Sequence, residues 1–457
     1  MKPLSALLFG PAVLATAGVC LLAGACASRE TPPARPNIVL IVADDAGYGD
    51  IGAYGQTKFR TPHIDRLAAD GRRFTSFYAG STVCAPSRCS LMTGLHTGHT
   101  HIRGNSEVKP EGQLPIPPET LTVAEVLREA GYTTGAVGKW GLGSPGSAGE
   151  PNRQGFDYWF GYLCQRQAHS FYPDHLWENG QRVELDGRTW SHDLLTEKAL
   201  AFIREHAGGP FFLYLPYTIP HGRYEVPSDA PYSGEDWPEP MKRFAAMMTR
   251  MDADVGRIRA LIEELGLAER TLTIFTSDNG PERYYEATLP EFFGSAGPYR
   301  GIKRDLYEGG IRVPFIAWWP GVVEAGSECR EAAAFWDLLP AFAELAGAPR
   351  PAGIDGLSIA PLLLGRPMQQ QHEHFYWEFH ERGGKQAVRW GDWKGVRVDV
   401  SRDPGGPVQL YDLAEDPGES RDVAAEHPEV VRRIEELMRE SRTPSAEFPF
   451  GFETAAR

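Results

Sequence analysis

The chain has 457 residues, of which 42% are hydrophobic and 23% charged, the balance of a folded globular protein rather than a disordered one. That length calls for one large domain of roughly 300 or more residues and a smaller companion. A formal net charge of −14 argues against a general binder of phosphate backbones, so nucleic acid is not an expected partner, although a local basic pocket stays compatible with it.

Residues 1–27 carry Lys2, an apolar run from Leu4 to Leu22, then the small residues Ala23, Gly24 and Ala25 before Cys26, which is the anatomy of a secretory signal. Gly and Pro interrupt the run and a polar, Pro-rich leader follows, so cleavage is expected over a transmembrane anchor. Leu22-Ala-Gly-Ala-Cys26 also resembles a bacterial lipobox, with Ala23 where a larger aliphatic is usual, so a lipid anchor at Cys26 is the alternative. The expected location is outside the bacterial cytoplasm, either periplasmic or as a membrane-anchored lipoprotein. Beyond the leader only Cys84, Cys89, Cys164 and Cys329 remain, a poor basis for a disulfide framework.

From residue 28 to 365 short apolar runs alternate with amphipathic segments, the pattern of an α/β domain whose helices cover a mixed, largely parallel sheet. Strands are predicted at 37–43, 133–137, 211–215, 272–276 and 314–318, each rich in β-branched or aromatic residues. Thr61-Pro62 opens a predicted helix through Asp70, Thr120 caps one through Ala130, and a long one runs from Met241 to Leu265. Residues 366–457 change character: alternating stretches such as 387–397, then an amphipathic helix over 428–441, predict a small C-terminal α+β domain with an antiparallel sheet.

Ligands of open α/β sheets bind beyond the carboxyl ends of the strands. There the first strand ends in Asp44-Asp45, the second in Lys139, the third is followed by His221, and the fourth ends in Asp278-Asn279. Cys84 and Arg88 lie on an intervening loop-to-helix segment. Taken singly these are loop caps, turns and solvated side chains. Together, three carboxylates and an amide oxygen form a hard ligand set suited to calcium or magnesium, with calcium expected. Arg88, Lys139, His221 and Lys303 are the cationic half that could hold a tetrahedral oxyanion, and sulfate and phosphate esters both fit it.

Cys84-Ala-Pro-Ser-Arg88-Cys-Ser-Leu-Met-Thr93-Gly94 resembles the signature of the formylglycine-dependent sulfatases, Cys-x-Pro-Ser-Arg followed by Thr-Gly. Further blocks similar to that family are 37–49 with its Asp-Asp, 61–68, 138–143, 276–280, 300–314, 391–394 and 409–419, so the likeness runs through nearly the whole chain after the leader. The resemblance is to the arylsulfatase and N-acetylgalactosamine-6-sulfatase branch of the alkaline phosphatase superfamily, and it implies an alkaline-phosphatase-like sandwich. It implies one Ca2+ held by Asp44, Asp45, Asp278, Asn279 and the modified Cys84, and a partner enzyme, formylglycine-generating or anaerobic sulfatase-maturating, that converts Cys84. In the implied mechanism a hydroxyl of hydrated formylglycine attacks sulfur, the alcohol departs, and the second hydroxyl then loses its proton and collapses to the aldehyde, breaking the bond between that carbon and the sulfate oxygen. Arg88 steadies the nucleophile, Lys139 and Lys303 hold sulfate oxygens, and His221 gives the leaving alcohol its proton.

One departure stands out: the family has Lys-Trp-His where this chain has Lys139-Trp140-Gly141, so the expected base is missing. His169, in an aromatic segment, is the nearest polar candidate, although it and Tyr162, Tyr172, His175 and Trp177 would equally suit a sugar-binding loop. The expected substrate is a sulfated carbohydrate or aryl sulfate. The rival readings are a phosphate or phosphonate ester hydrolase of the same superfamily and a catalytically silent binder of sulfated glycans.

Overall fold

A computed structural model describes residues 35–284 and 289–450; the signal segment and Cys26 lie outside the described residues. Ten strands form one sheet, in the spatial order Ser327–Cys329, Arg72–Phe74, Phe315–Trp318, Thr271–Ser277, Asn37–Ala43, Phe211–Pro216, Thr133–Lys139, Tyr158–Tyr162, His175–Glu178 and Gln181–Glu184. The five strands from Thr271–Ser277 to Tyr158–Tyr162 run parallel, and Phe315–Trp318 lies antiparallel to their edge.

The central strand, Asn-Ile-Val-Leu-Ile-Val-Ala, is buried throughout, because a strand covered on both faces must be apolar at every position. Its alternate residues feed two cores. Val39, Ile41 and Ala43 pack with the helices Pro62–Ala69, Ser191–Glu205 and Glu239–Glu264, whereas Ile38, Leu40 and Val42 pack with Cys84–Thr93, Val123–Glu129 and Leu338–Leu345. The result is the three-layer sandwich expected from the sequence.

The five predicted strands form within two residues of their expected bounds. One helix start needs correction: Thr122, not Thr120, caps Val123–Glu129. The Thr122 hydroxyl accepts from the Glu125 backbone N–H at 3.3 Å while the Glu125 carboxylate takes the Thr122 N–H at 2.9 Å, a reciprocal box that Thr120 is too far back to make.

The small antiparallel sheet is a meander of Phe375–Phe379, Lys385–Trp390, Trp393–Val398 and Gln409–Asp412. One face packs on the helix Pro428–Glu440 through Val388, Leu410, Ile434 and Met438. The other packs Phe375, Trp377, Phe379 and Val396 against Tyr78, Val83, Leu306 and Trp336 from the part of the chain that surrounds the large sheet.

Candidate active site

Parallel register brings the site together. Ala43 stands opposite Ser277, so Asp44-Asp45 and Asp278-Asn279 leave the sheet side by side, and the Asp278 N–H donates to the Ala43 carbonyl at 3.1 Å. The Asp44 N–H donates to the Ile219 carbonyl at 3.1 Å, which draws the loop carrying His221 alongside. Asp45 sits at φ +69, a left-handed conformation that turns its carboxylate back over the strand ends.

Cys84 is the first residue of a ten-residue helix that is buried along its whole length and closed by Gly94 at φ +70. Its sulfur therefore sits at the positive end of the helix dipole. The Lys139 ammonium lies 3.3 Å from Sγ, that of Lys303 3.6 Å, and Asp44 Oδ1 3.5 Å. Lys139 is bound to Asp44 at 2.5 Å, and Lys303 takes both oxygens of Asp45 at 2.6 and 2.8 Å. Arg88, one helical turn beyond Cys84, donates to Asp278 Oδ2 from Nε at 3.2 Å and Nη2 at 2.7 Å, and to the Lys139 carbonyl at 2.8 Å. None of Asp44, Asp45, Cys84, Arg88, Lys139, His221, Asp278, Asn279 and Lys303 is more than 3% exposed.

Burial sets the electrostatics. It pushes the Cys84 thiol up to about 12, even though Lys139 and Lys303 pull the other way. Burial also raises Asp45 and Asp278, Asp45 against the pull of Lys303 and Asp278 with Asp44 adding to the rise. Burial would lower Lys303 and Lys139, but the surrounding anions together, led by Asp45 for Lys303 and Asp44 for Lys139, hold both above the usual lysine range.

The donor set fits a hard divalent cation. Asp44, Asp45 and Asp278 supply carboxylate oxygens, and Asn279 donates through Nδ2 to Asp45 at 2.8 Å while its Oδ1 is buried without a hydrogen-bond partner. Asp44, Asp45, Cys84 and His221 have ligand atoms close enough to share one ion. A second group, His96, His99 and Asp355, is clamped internally: His99 bonds Asp355 at 2.9 Å and His96 Nδ1 accepts the Gly98 N–H at 3.2 Å.

His221 approaches Asp45 Oδ2 at 3.4 Å through Nε2. His169 stacks on it, with ring centroids 3.9 Å apart and planes 13° from parallel. Burial, then Lys139 and Lys303, lowers His169 to about 2. Burial, then Lys303 and His169, takes His221 well below the usual histidine range. The fold thus brings His169 beside the other nine residues. Of the aromatic neighbours, the Tyr162 hydroxyl donates to the Ser170 carbonyl at 2.8 Å in the core, Glu111 accepts from Trp177 Nε1 at 2.7 Å and lies 2.9 Å from His175, and Tyr172 is half-buried.

Gly141 has φ +83, and a Cβ added there would lie 1.8 Å from Nε2 of Gln165, so the space above residue 141 is filled by a side chain from the next strand's exit loop. Neither Gln165 nor Asn105, whose Oδ1 accepts the Ala85 N–H at 3.2 Å beside Cys84, carries a motif that sequence reading could have found.

An alkaline-phosphatase-like sandwich with buried carboxylates and cations converging on one side chain at a helix start defines a hydrolase for esters of tetrahedral oxyanions. Residues 36–348 match the sulfatase family and residues 300–444 the C-terminal region of N-sulphoglucosamine sulphohydrolase, so the chain belongs to the sulfatase family and is a sulfuric ester hydrolase. Human arylsulfatase A is 36% identical over 496 aligned residues, covering 96% of this chain and 93% of the relative. N-acetylgalactosamine-6-O-sulfatase of Bacteroides thetaiotaomicron is 31% identical over 90% of this chain and 93% of its own. Among solved structures, Ps i-CgsB in complex with k-i-k-neocarrahexaose superposes with a TM-score of 0.78 at 29% identity, over 89% of this chain and 93% of that one.

Proposed function

We propose that this sulfatase releases sulfate from a sulfated carbohydrate, using a formylglycine made from Cys84 and one calcium ion. The observation that carries the reading is the setting of Cys84 itself. A thiol pushed up to about 12 by burial is a poor nucleophile, yet the two ammonium groups beside it suit an oxygen anion at that position, and a cation on Asp44 and Asp278 would offset the carboxylates that oppose one. Oxidation to the aldehyde hydrate by a maturating enzyme would supply such an oxygen.

Calcium, held by Asp44, Asp45, Asp278, Asn279 and residue 84, would supply Lewis-acid charge for the sulfate oxygens. Arg88 fixes Asp278 and the Lys139 carbonyl, so it orients the ligand set and the nucleophile together. Lys139 and Lys303 offer ammonium donors to the sulfate from two sides. His221 delivers a proton to the leaving alcohol, which requires the anionic sulfate ester to offset the lysines that keep this histidine neutral, and His169, stacked against it, takes the proton that must leave residue 84 before sulfate is expelled. A carbohydrate substrate is supported by a relative named for N-acetylgalactosamine and by a structural neighbour solved in complex with k-i-k-neocarrahexaose. Export, expected from residues 1–27, would bring the enzyme to such glycans, with a lipid anchor at Cys26 the membrane-bound variant.

The test is to produce the chain with a formylglycine-generating enzyme, weigh the peptide containing residue 84, and assay aryl sulfate, sulfated sugars and matched phosphate esters with and without chelator. A loss of about 18 Da, oxygen exchanged for sulfur with two hydrogens removed, with sulfate release lost in Cys84→Ala and on calcium removal, is the expected result. Conversion without sulfate turnover would favour the silent binder, and preferential phosphate or phosphonate turnover the superfamily rival.

A further inference from the structure

The strands Thr133–Lys139 and Tyr158–Tyr162 run parallel with Lys139 opposite Tyr162, and the Trp140 N–H donates to the Tyr162 carbonyl at 2.9 Å. The two chains therefore leave the sheet at the same level, which sets Gly141 against Gln165. Gln165 begins a tight turn in which the Ala168 N–H donates to the Cys164 carbonyl at 3.1 Å and the His169 N–H to the Arg166 carbonyl at 3.2 Å. One rigid turn thus carries both Gln165 and His169, the ring stacked on His221. Two residues before Gly141, Lys139 reaches to 3.3 Å from the Cys84 sulfur.

Gln165 is 5% exposed, and neither Oε1 nor Nε2 of its carboxamide has a hydrogen-bond partner. Leaving a buried polar group unpaired costs about 1–3 kcal/mol. In native proteins such a group marks strain, a catalytic role, or completion by a water or an ion. A carboxamide donates and accepts at once and carries no charge at any pH, which matches it to hydroxyl and sulfate oxygens rather than to a bare cation.

We propose that Gln165 is a further residue of the sulfatase reaction, its carboxamide hydrogen-bonding the oxygen atoms at residue 84 and on the sulfate group from the space that Gly141 leaves open. The proposal rests on the reading of an oxygen nucleophile at residue 84. Gln165 orients those oxygens and takes no proton; proton transfer stays with His169 and His221. It also explains why residue 141 carries no side chain.

The experiment compares mature wild type, Cys84→Ala and Gln165→Met, measuring kcat and KM on an aryl sulfate and a sulfated sugar alongside the thermal midpoint of each protein. Methionine keeps the volume and removes the amide. The expected result is a kcat about 100-fold lower, the scale of losing one preorganised oxyanion donor, with KM little changed and a midpoint equal to or above wild type. A kcat unchanged from wild type overturns the proposal. So does a kcat loss accompanied by a clearly lower midpoint, because that marks an amide satisfied by an ordered water and needed for folding. If wild type has no turnover that depends on Cys84, the oxygen-nucleophile reading itself fails and takes the proposal with it.

Discussion

Gly141→Ala tests whether the geometry above the second strand is as tight as described. Two terms oppose the methyl group. A left-handed backbone at φ +83 costs a residue with a Cβ about 1–2 kcal/mol. The new Cβ would also lie 1.8 Å from Gln165 Nε2 and 2.7 Å from its Cδ, far inside contact distance, so the carboxamide must rotate within a buried site at the roughly 1–3 kcal/mol typical of overpacking. The expected loss is therefore about 2–5 kcal/mol. In a Gln165→Ala background the second term vanishes and only the backbone term remains. Urea midpoints of the two single variants and the double variant form a cycle, and the structure requires a coupling of at least about 1 kcal/mol with the double variant more stable than additivity predicts. Effects that add to within about 0.5 kcal/mol would refute the contact.

Two further outcomes follow from titration. Protein made without a maturating enzyme keeps Cys84 as a thiol pushed up to about 12, so at pH 8 only about one molecule in ten thousand carries the thiolate; iodoacetamide should leave Cys84 unlabelled in the native state and label it in urea, and equal rates would refute the burial argument. At the junction with the small sheet, burial and then the neighbouring Glu308 hold Glu419 at about 7, allowing for the opposing pull of Lys394. Its unfolded value is near the ordinary 4.5, so the native state binds the extra proton between these values; the stabilisation is complete below about pH 4.5 and is lost as pH rises through 7, up to about 3 kcal/mol. Thermal midpoints should fall from pH 5 to pH 8, and Glu419→Gln should flatten that slope; an unchanged slope in the variant would refute the assignment.

How much of this was legible depended on how local each signal is. The strands 37–43, 211–216 and 271–277 announce themselves because each is a short apolar run ending in polar residues, and the strand-end rule then gathers Asp44, Asp45, His221, Asp278 and Asn279 without any coordinates. The helix beginning at Cys84 is legible only through its motif, since its residues are buried all round and show no amphipathic stripe. The strands Tyr158–Tyr162, His175–Glu178 and Gln181–Glu184 escaped because their runs are short and mixed; the last two form a local hairpin that joins the sheet only where Phe160 and Gly161 pair with Glu178 and Trp177. Gln165 escaped for a related reason: its meaning lies in a clash with a residue 24 positions earlier and in the lack of partners around it, neither of which a sequence displays. The ion pairs that cross the site, Lys139 with Asp44 and Lys303 with Asp45, are likewise facts of register rather than spacing.

The small sheet, set apart in sequence by its composition, is physically part of the site's frame. Val83, the residue before Cys84, packs in the same apolar cluster as Phe375, Trp377 and Phe379, and the Trp377 indole donates to the Ala79 carbonyl at 3.0 Å, so the approach to the helix that begins at Cys84 is pinned from that side. The loop carrying Lys303 is pinned as well. Lys385 donates to the Arg304 carbonyl at 2.6 Å and to Asp305 at 2.7 Å, while Lys394 holds Glu308 at 2.7 Å and the Glu308 N–H donates to Glu419 at 2.6 Å. Arg304, immediately after Lys303, is held at φ +75, a strained conformation that persists only where its surroundings over-determine it. Those surroundings are side chains of the small sheet on one flank and Glu282 on the other. The Lys303 ammonium set against Asp45 and residue 84 therefore depends on contacts made more than 80 residues later in the chain, which is a physical reason for the two sheets to stay joined in one polypeptide.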